Sequence, residues 1–74
     1  MTFEEILPLI KANRRVIRTG FTGNEKHICL IEKAEFQDED ILPYFLIYVD
    51  GEGYSVYIPT ICDLLAEDWE EVYD

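Results

Sequence analysis

No lysine or arginine occurs after Lys33 in this 74-residue chain, so residues 34–74 carry twelve acids and no fixed positive charge. That half is therefore poorly suited to duplex DNA or an anionic membrane as a partner. Histidine is nearly absent, with His27 alone, and the two cysteines, Cys29 and Cys62, form no CxxC pair. Neither a zinc site nor a disulfide framework is indicated, and the cysteines are expected to be small buried hydrophobes in a reducing compartment. The start, Met1-Thr2-Phe3-Glu4-Glu5, lacks the basic and apolar segments of a signal peptide. No apolar run reaches the length of a membrane span, so the expected location is the cytoplasm. GxGxxG, Walker and HExxH patterns are missing as well.

What is present is enough to fold. Hydrophobic residues make up 49% of the chain, and ten residues are aromatic, a composition unlike that of a disordered acidic tail. The chain is expected to form one domain over residues 1–74. A domain of this size buries only about 60% of its unfolded surface, so self-association would add stability. Net charge is −10, yet all six basic residues fall in the first 33 positions against four acids there, a net +2. The acidity of the rest reads either as solubility or as mimicry of nucleic acid directed at a basic groove.

Thr2 and Glu5 form a capping-box pair, and Phe3, Ile6, Leu7 and Ile10 recur at helical spacing, which predicts an amphipathic helix ending near Asn13. Pro8 lacks the amide that would bond the Glu4 carbonyl, so a kink or a later start is expected. Strands are predicted over 15–19 and 27–32, separated by the turn Gly20-Phe21-Thr22-Gly23-Asn24, and 33–40 reads as an acidic surface loop. Residues 44–49 and 54–58, joined by Asp50-Gly51-Glu52-Gly53, give the strongest local signal, a β-hairpin. Thr60 and Asp63 cap a short helical turn through Ala66, and 69–73 can form a last strand. The expected fold is α+β, an N-terminal helix packed on an antiparallel sheet of four to five strands, with a helical turn near residues 60–66. Tyr44, Leu46 and Tyr48 alternate with Phe45, Ile47 and Val49, more apolar surface than one helix can cover, and a homo-oligomer would bury the excess.

Chemistry has few candidates. His27 sits in a predicted strand, where a partly buried structural role is expected. The neighbours Glu67-Asp68 and Glu70-Glu71 diverge in regular structure and read as solvated charge. No catalytic residue, metal or cofactor is expected, and binding is the favoured class.

Several segments taken together resemble one family. Met1-Thr2-Phe3-Glu4-Glu5-Ile6, the basic stretch into Val16-Ile17-Arg18-Thr19-Gly20-Phe21-Thr22-Gly23, Leu42-Pro43-Tyr44 entering the hairpin with Asp50-Gly51, and Pro59-Thr60-Ile61-Cys62-Asp63-Leu64-Leu65-Ala66-Glu67-Asp68-Trp69 are similar to the second Thoeris anti-defence family of phage proteins. The resemblance implies a non-catalytic sponge, a dimer or tetramer that holds cyclic ADP-ribose type signals or cyclic dinucleotides in pockets between protomers. It also implies the cytoplasm of the infected bacterial host as the place of action. Carried over position by position, it makes Phe21, Tyr57, Thr60 and Asp63 ligand-binding candidates, with Thr22 beside Phe21 and Arg18 just before the turn. The chain departs from the family pattern at Phe21, Thr22 and Tyr57, and at Ile61-Cys62, where the family carries Trp, Asn, Trp and a Gln-Thr pair.

The net charge does not forbid such a ligand. At roughly 15 Å in water, with a Debye length of about 8 Å, bulk repulsion of a phosphate is below about 1 kcal/mol, whereas one guanidinium at about 4 Å returns up to ~4 kcal/mol near a surface. A phosphate site must then draw on Arg14, Arg15, Arg18, Lys26 or Lys33, with Arg18 first because it adjoins the turn. A base would stack on Phe21 or Tyr57, and Asp63 would accept bonds from ribose hydroxyls or a purine amino group. The alternative is an acidic inhibitor of a host defence nuclease, comparable to an anti-CRISPR protein, that uses the acids of 35–40 and 67–74.

Overall fold

The computed structural model describes residues 1–73. Thr2 starts helix α1 (Phe3–Lys11): its hydroxyl accepts the Glu5 amide at 3.2 Å, and the Glu5 carboxylate accepts the Thr2 amide at 2.9 Å. The capping box thus fixes the start at Phe3, ahead of Pro8, and excludes the later start. Pro8 is tolerated because it and Glu4 both lie on the exposed side, where water can satisfy the Glu4 carbonyl. Asn13, at φ 65°, ends the element in the left-handed conformation that asparagine tolerates well.

Seven strands follow: β1 (Arg15–Arg18), β2 (Glu25–Ile31), β3 (Ala34–Phe36), β4 (Glu39–Ile41), β5 (Tyr44–Val49), β6 (Gly53–Tyr57) and β7 (Trp69–Val72), with a short helix α2 (Ile61–Leu65) between β6 and β7. Five of them form one antiparallel sheet in the order β6-β5-β2-β1-β7. The expected α+β fold is therefore present. The central hairpin pairs Phe45 with Tyr57 and Val49 with Gly53. Its turn needs Gly51 at φ 88° and Gly53 at φ 89°, values that side-chain-bearing residues rarely adopt.

Two expectations are corrected. Residues 33–40 are not an irregular loop, because β3 and β4 pair as a two-stranded sheet. Their turn places Gln37 at φ 53° and Asp38 at φ 65°, the double left-handed geometry of a tight hairpin that Asn-Gly would have announced and Gln-Asp conceals. Cys62 is exposed in α2, not a buried hydrophobe, and Cys29 is half-buried; both are free thiols.

The core lies between α1 and one sheet face. Ile6, Ile10, Val16, Ile28 and Trp69 are each at most 1% exposed, with Phe3, Phe21, Phe45, Ile47 and Tyr57 packed around them. Trp69 meets Phe3 and Phe21 edge-on, at centroid separations of 5.5 and 6.2 Å. On the opposite face, side chains of alternate parity form a second layer: His27, Tyr48 and Tyr54 cluster there, and the His27 ring nitrogen and Tyr54 hydroxyl share a 3.2 Å hydrogen bond. Burial lowers the His27 pKa, with Arg15 adding repulsion. No helix among the described residues is long and apolar enough to cross a membrane.

Ile6→Ala should lower unfolding free energy by about 2–5 kcal/mol in a urea titration, because it empties part of the helix-sheet seam. Leu42→Ala, at a side chain 83% exposed, should stay within about 0.5 kcal/mol of the parent.

Candidate functional site

Helix α2 begins with a second capping box. The Thr60 hydroxyl accepts the Asp63 amide at 3.2 Å, and Asp63 Oδ2 accepts the Thr60 amide at 3.0 Å. That reciprocal bond turns the Asp63 carboxylate inward, and the residue as a whole is only 6% exposed. Burial there requires partners, and two further groups supply them: the Tyr57 hydroxyl donates to Oδ2 at 2.7 Å and Arg18 Nη1 donates to Oδ1 at 2.8 Å. The Trp69 indole donates to the Asp63 carbonyl at 2.9 Å, tying the same residue to the core.

Arg18 joins this hub to the glycine turn. Its Nε donates to Asp68 Oδ1 at 2.8 Å, and Asp68 Oδ2 accepts the Gly20 amide at 2.8 Å. A Cβ at Gly20 would stand 2.7 Å from Asp68 Oδ2, so only glycine lets the carboxylate approach the turn this closely. The Arg18 guanidinium carbon lies 5.5 Å from the Phe21 ring centroid, a cation–π contact. Nε and Nη1 are engaged, and Nη2 makes no hydrogen bond among the described residues.

Five of the six predicted residues therefore converge. Arg18, Tyr57, Thr60 and Asp63 share one hydrogen-bonded network, Phe21 contacts Arg18, and Thr22 is exposed on the turn next to it. Asp68 was read from sequence as solvated charge, but it is the second anchor of Arg18. The signal that could have found it is its place beside Trp69, a residue pinned in the core, which makes Asp68 the last position before a fixed strand. Neither of two surface clefts is lined by the six. One of about 710 Å³ is lined by residues 32–35 and 40–43, where Glu32, Glu35 and Asp40 outnumber Lys33 and disfavour an anion. The other, about 260 Å³, lies beside Arg14, Arg15 and Glu71.

The electrostatics follow from geometry. Burial alone would raise the Asp63 pKa, but the Thr60 amide, the Tyr57 hydroxyl and Arg18 together hold it at about 2. Hydrogen bonding to Arg18 likewise lowers Asp68, while Asp68 first and Asp63 second raise Arg18. Burial, then the bond to Asp63, pushes the Tyr57 hydroxyl well above its ordinary value.

Each depressed pKa means that the folded chain binds fewer protons than the unfolded one, so stability falls as pH falls. His27 should act first, from about pH 6.5 downward, and the carboxylates second, from about pH 4 through about 2. Thermal midpoints measured across pH 7 to 2 should show both stages, His27→Gln should remove the first, and Asp63→Asn should flatten the second from a lower starting midpoint.

No curated protein matches the sequence. The family model of the Tad2-like, Thoeris anti-defense 2-like domain matches residues 1–72, nearly the whole chain and every element of the network around Asp63. This chain belongs to the Thoeris anti-defense 2-like domain family, and its role is phage anti-defence.

Proposed function

We propose that the protein sequesters a cyclic nucleotide signal, of the cyclic ADP-ribose type or a cyclic dinucleotide, without cleaving it, in pockets completed by a second protomer. The observation that carries this reading is the convergence, from β1, the turn, β6 and the α2 cap, of a cation, an aromatic face, two hydroxyls and a carboxylate. Those groups suit the phosphate, base and ribose of a nucleotide. Catalysis finds less support, because every acid in the network is held ionised and His27 lies on the other sheet face, bonded to Tyr54.

Arg18 works under a constraint that the sequence did not reveal. Shared between Asp63 and Asp68, it leaves the trio with a net charge of −1, and Nη2 is the guanidinium nitrogen without a hydrogen bond among the described residues. A phosphate would meet Nη2 or displace Asp68, whose side chain is 31% exposed against 9% for Asp63. Stacking on Phe21 and groups from the second protomer must supply the rest of the roughly −12 kcal/mol that nanomolar capture requires.

One observation favours a second reading, the acidic inhibitor. The acids Glu35, Asp38, Glu39 and Asp40 stand on a formed hairpin, beside a Phe36 that is 66% exposed. Of the acids 67–74 invoked with them, Asp74 lies outside the described residues. Salt-sensitive binding to a basic protein, with indifference to nucleotides, would select this reading over the first.

Sequestration predicts that a cyclic ADP-ribose isomer or a cyclic dinucleotide at one hundred times its Kd adds about 2.7 kcal/mol to unfolding free energy, read as a rise in thermal midpoint. The ligand should be recovered unaltered after heat denaturation. Phe21→Leu, which keeps apolar volume beside Trp69 but removes the stacking face, should abolish the rise while the fold persists. Arg18→Ala is the poorer variant, since it strands two carboxylates.

A further inference from the structure

The five-stranded sheet has two edges, and they differ in kind. At β7 the Trp69 amide donates to the Met1 carbonyl at 2.9 Å and the Met1 amino group donates to the Trp69 carbonyl at 2.7 Å, so part of that edge is covered, and the exposed Glu70 charges the strand. At β6 neither protection exists. Tyr54, Ser55 and Val56 are all exposed, and the strand holds no Lys, Asp, Glu or Pro to discourage pairing. We infer that the β6 edge, with the charge-free segment that follows it, is the docking surface for a second copy of this chain, the two β6 strands pairing antiparallel about a two-fold axis.

Charge selects the occupant. In a chain of net charge −10, residues 53–62 contain no charged side chain, although Glu52 precedes them and Asp63 follows. A two-fold contact sets a patch against itself, so an acidic patch would double its own repulsion and a neutral one would not. A basic partner would gain nothing from this segment, and a membrane surface would find no Lys or Arg there. The same segment is where exposed apolar side chains concentrate, with Tyr54 at 58%, Val56 at 63%, Ile58 at 80% and Ile61 at 74% exposure. Main-chain bonds along β6 would give the pair its register, and these side chains would supply the buried apolar area.

The inference rests on reading the chain as a homo-oligomer and adds the location of the contact. It also has a consequence for the candidate site. Tyr57 ends β6 and Thr60 stands three residues on, so pairing at this edge brings the Asp63 networks of both copies to the flanks of one axis.

The test uses the full chain in light scattering coupled to size exclusion, together with amide hydrogen exchange. The wild type should run at a multiple of the monomer mass, with the β6 amides that do not bond β5 protected and their protection falling on dilution. Val56→Asp sets two carboxylates across the axis and should give monomers with an unchanged circular dichroism spectrum. Ile58→Glu, beyond the end of the strand, should weaken the assembly in the same direction and guards against a Val56→Asp chain that fails to fold. Glu70→Ala, on the other edge, should leave the mass unchanged. Oligomers that survive both β6 variants would overturn this location while leaving assembly intact. A wild type that stays monomeric at millimolar concentration would overturn both.

Discussion

Asp63 holds a buried negative charge that this fold cannot leave unpaired. Its carboxylate takes bonds from the Thr60 amide, the Tyr57 hydroxyl and Arg18, and its carbonyl takes the Trp69 indole. Each donor comes from a different part of the chain, so satisfying one residue joins the end of β6, the start of α2, the end of β1 and the start of β7. The central charge costs desolvation, and breaking any spoke would leave part of that cost uncompensated. A 74-residue chain with a small helix-sheet core gains definition from such a hub.

The same constraint shapes what the site offers a ligand. Because Asp63 must be neutralised, Arg18 is oriented toward it, and because Arg18 is oriented, Asp68 and the Gly20 turn close on its other side. What remains is a preorganised rim: the exposed Thr22 and Thr60, beside the half-buried Phe21 ring and the guanidinium that lies against it. Preorganisation lowers the entropy cost of capture, yet a rim on one protomer encloses nothing by itself. A sponge built this way depends on a second copy to close the pocket, which joins the functional reading to the open β6 edge.

Much of this was legible before any coordinates. Capping pairs spaced by three residues marked both helix starts, although Pro8 left a later start of α1 open, and the Asp50-Gly51-Glu52-Gly53 turn gave the central hairpin, because these signals are local and chemically specific. The β3–β4 hairpin escaped because Gln37 and Asp38 adopt left-handed angles without the glycine that normally advertises them. Cys62 misled because a cysteine outside any CxxC pair was read as a small buried hydrophobe, whereas α2 is so short that only Asp63 is buried. Within the site, Arg18, Phe21, Tyr57, Thr60 and Asp63 were nameable one by one. Their joint network was not, since the bond between Arg18 and Asp63 spans 45 positions and exists only once β1 lies beside β7.

Isothermal titration calorimetry of the assembled protein with cyclic ADP-ribose isomers and cyclic dinucleotides bears most directly on nucleotide capture. The account requires saturable heat with at least one of these ligands, near-nanomolar affinity and no more than one ligand per protomer, with the ligand intact afterwards. Flat traces from a folded, oligomeric sample across both ligand classes would contradict it.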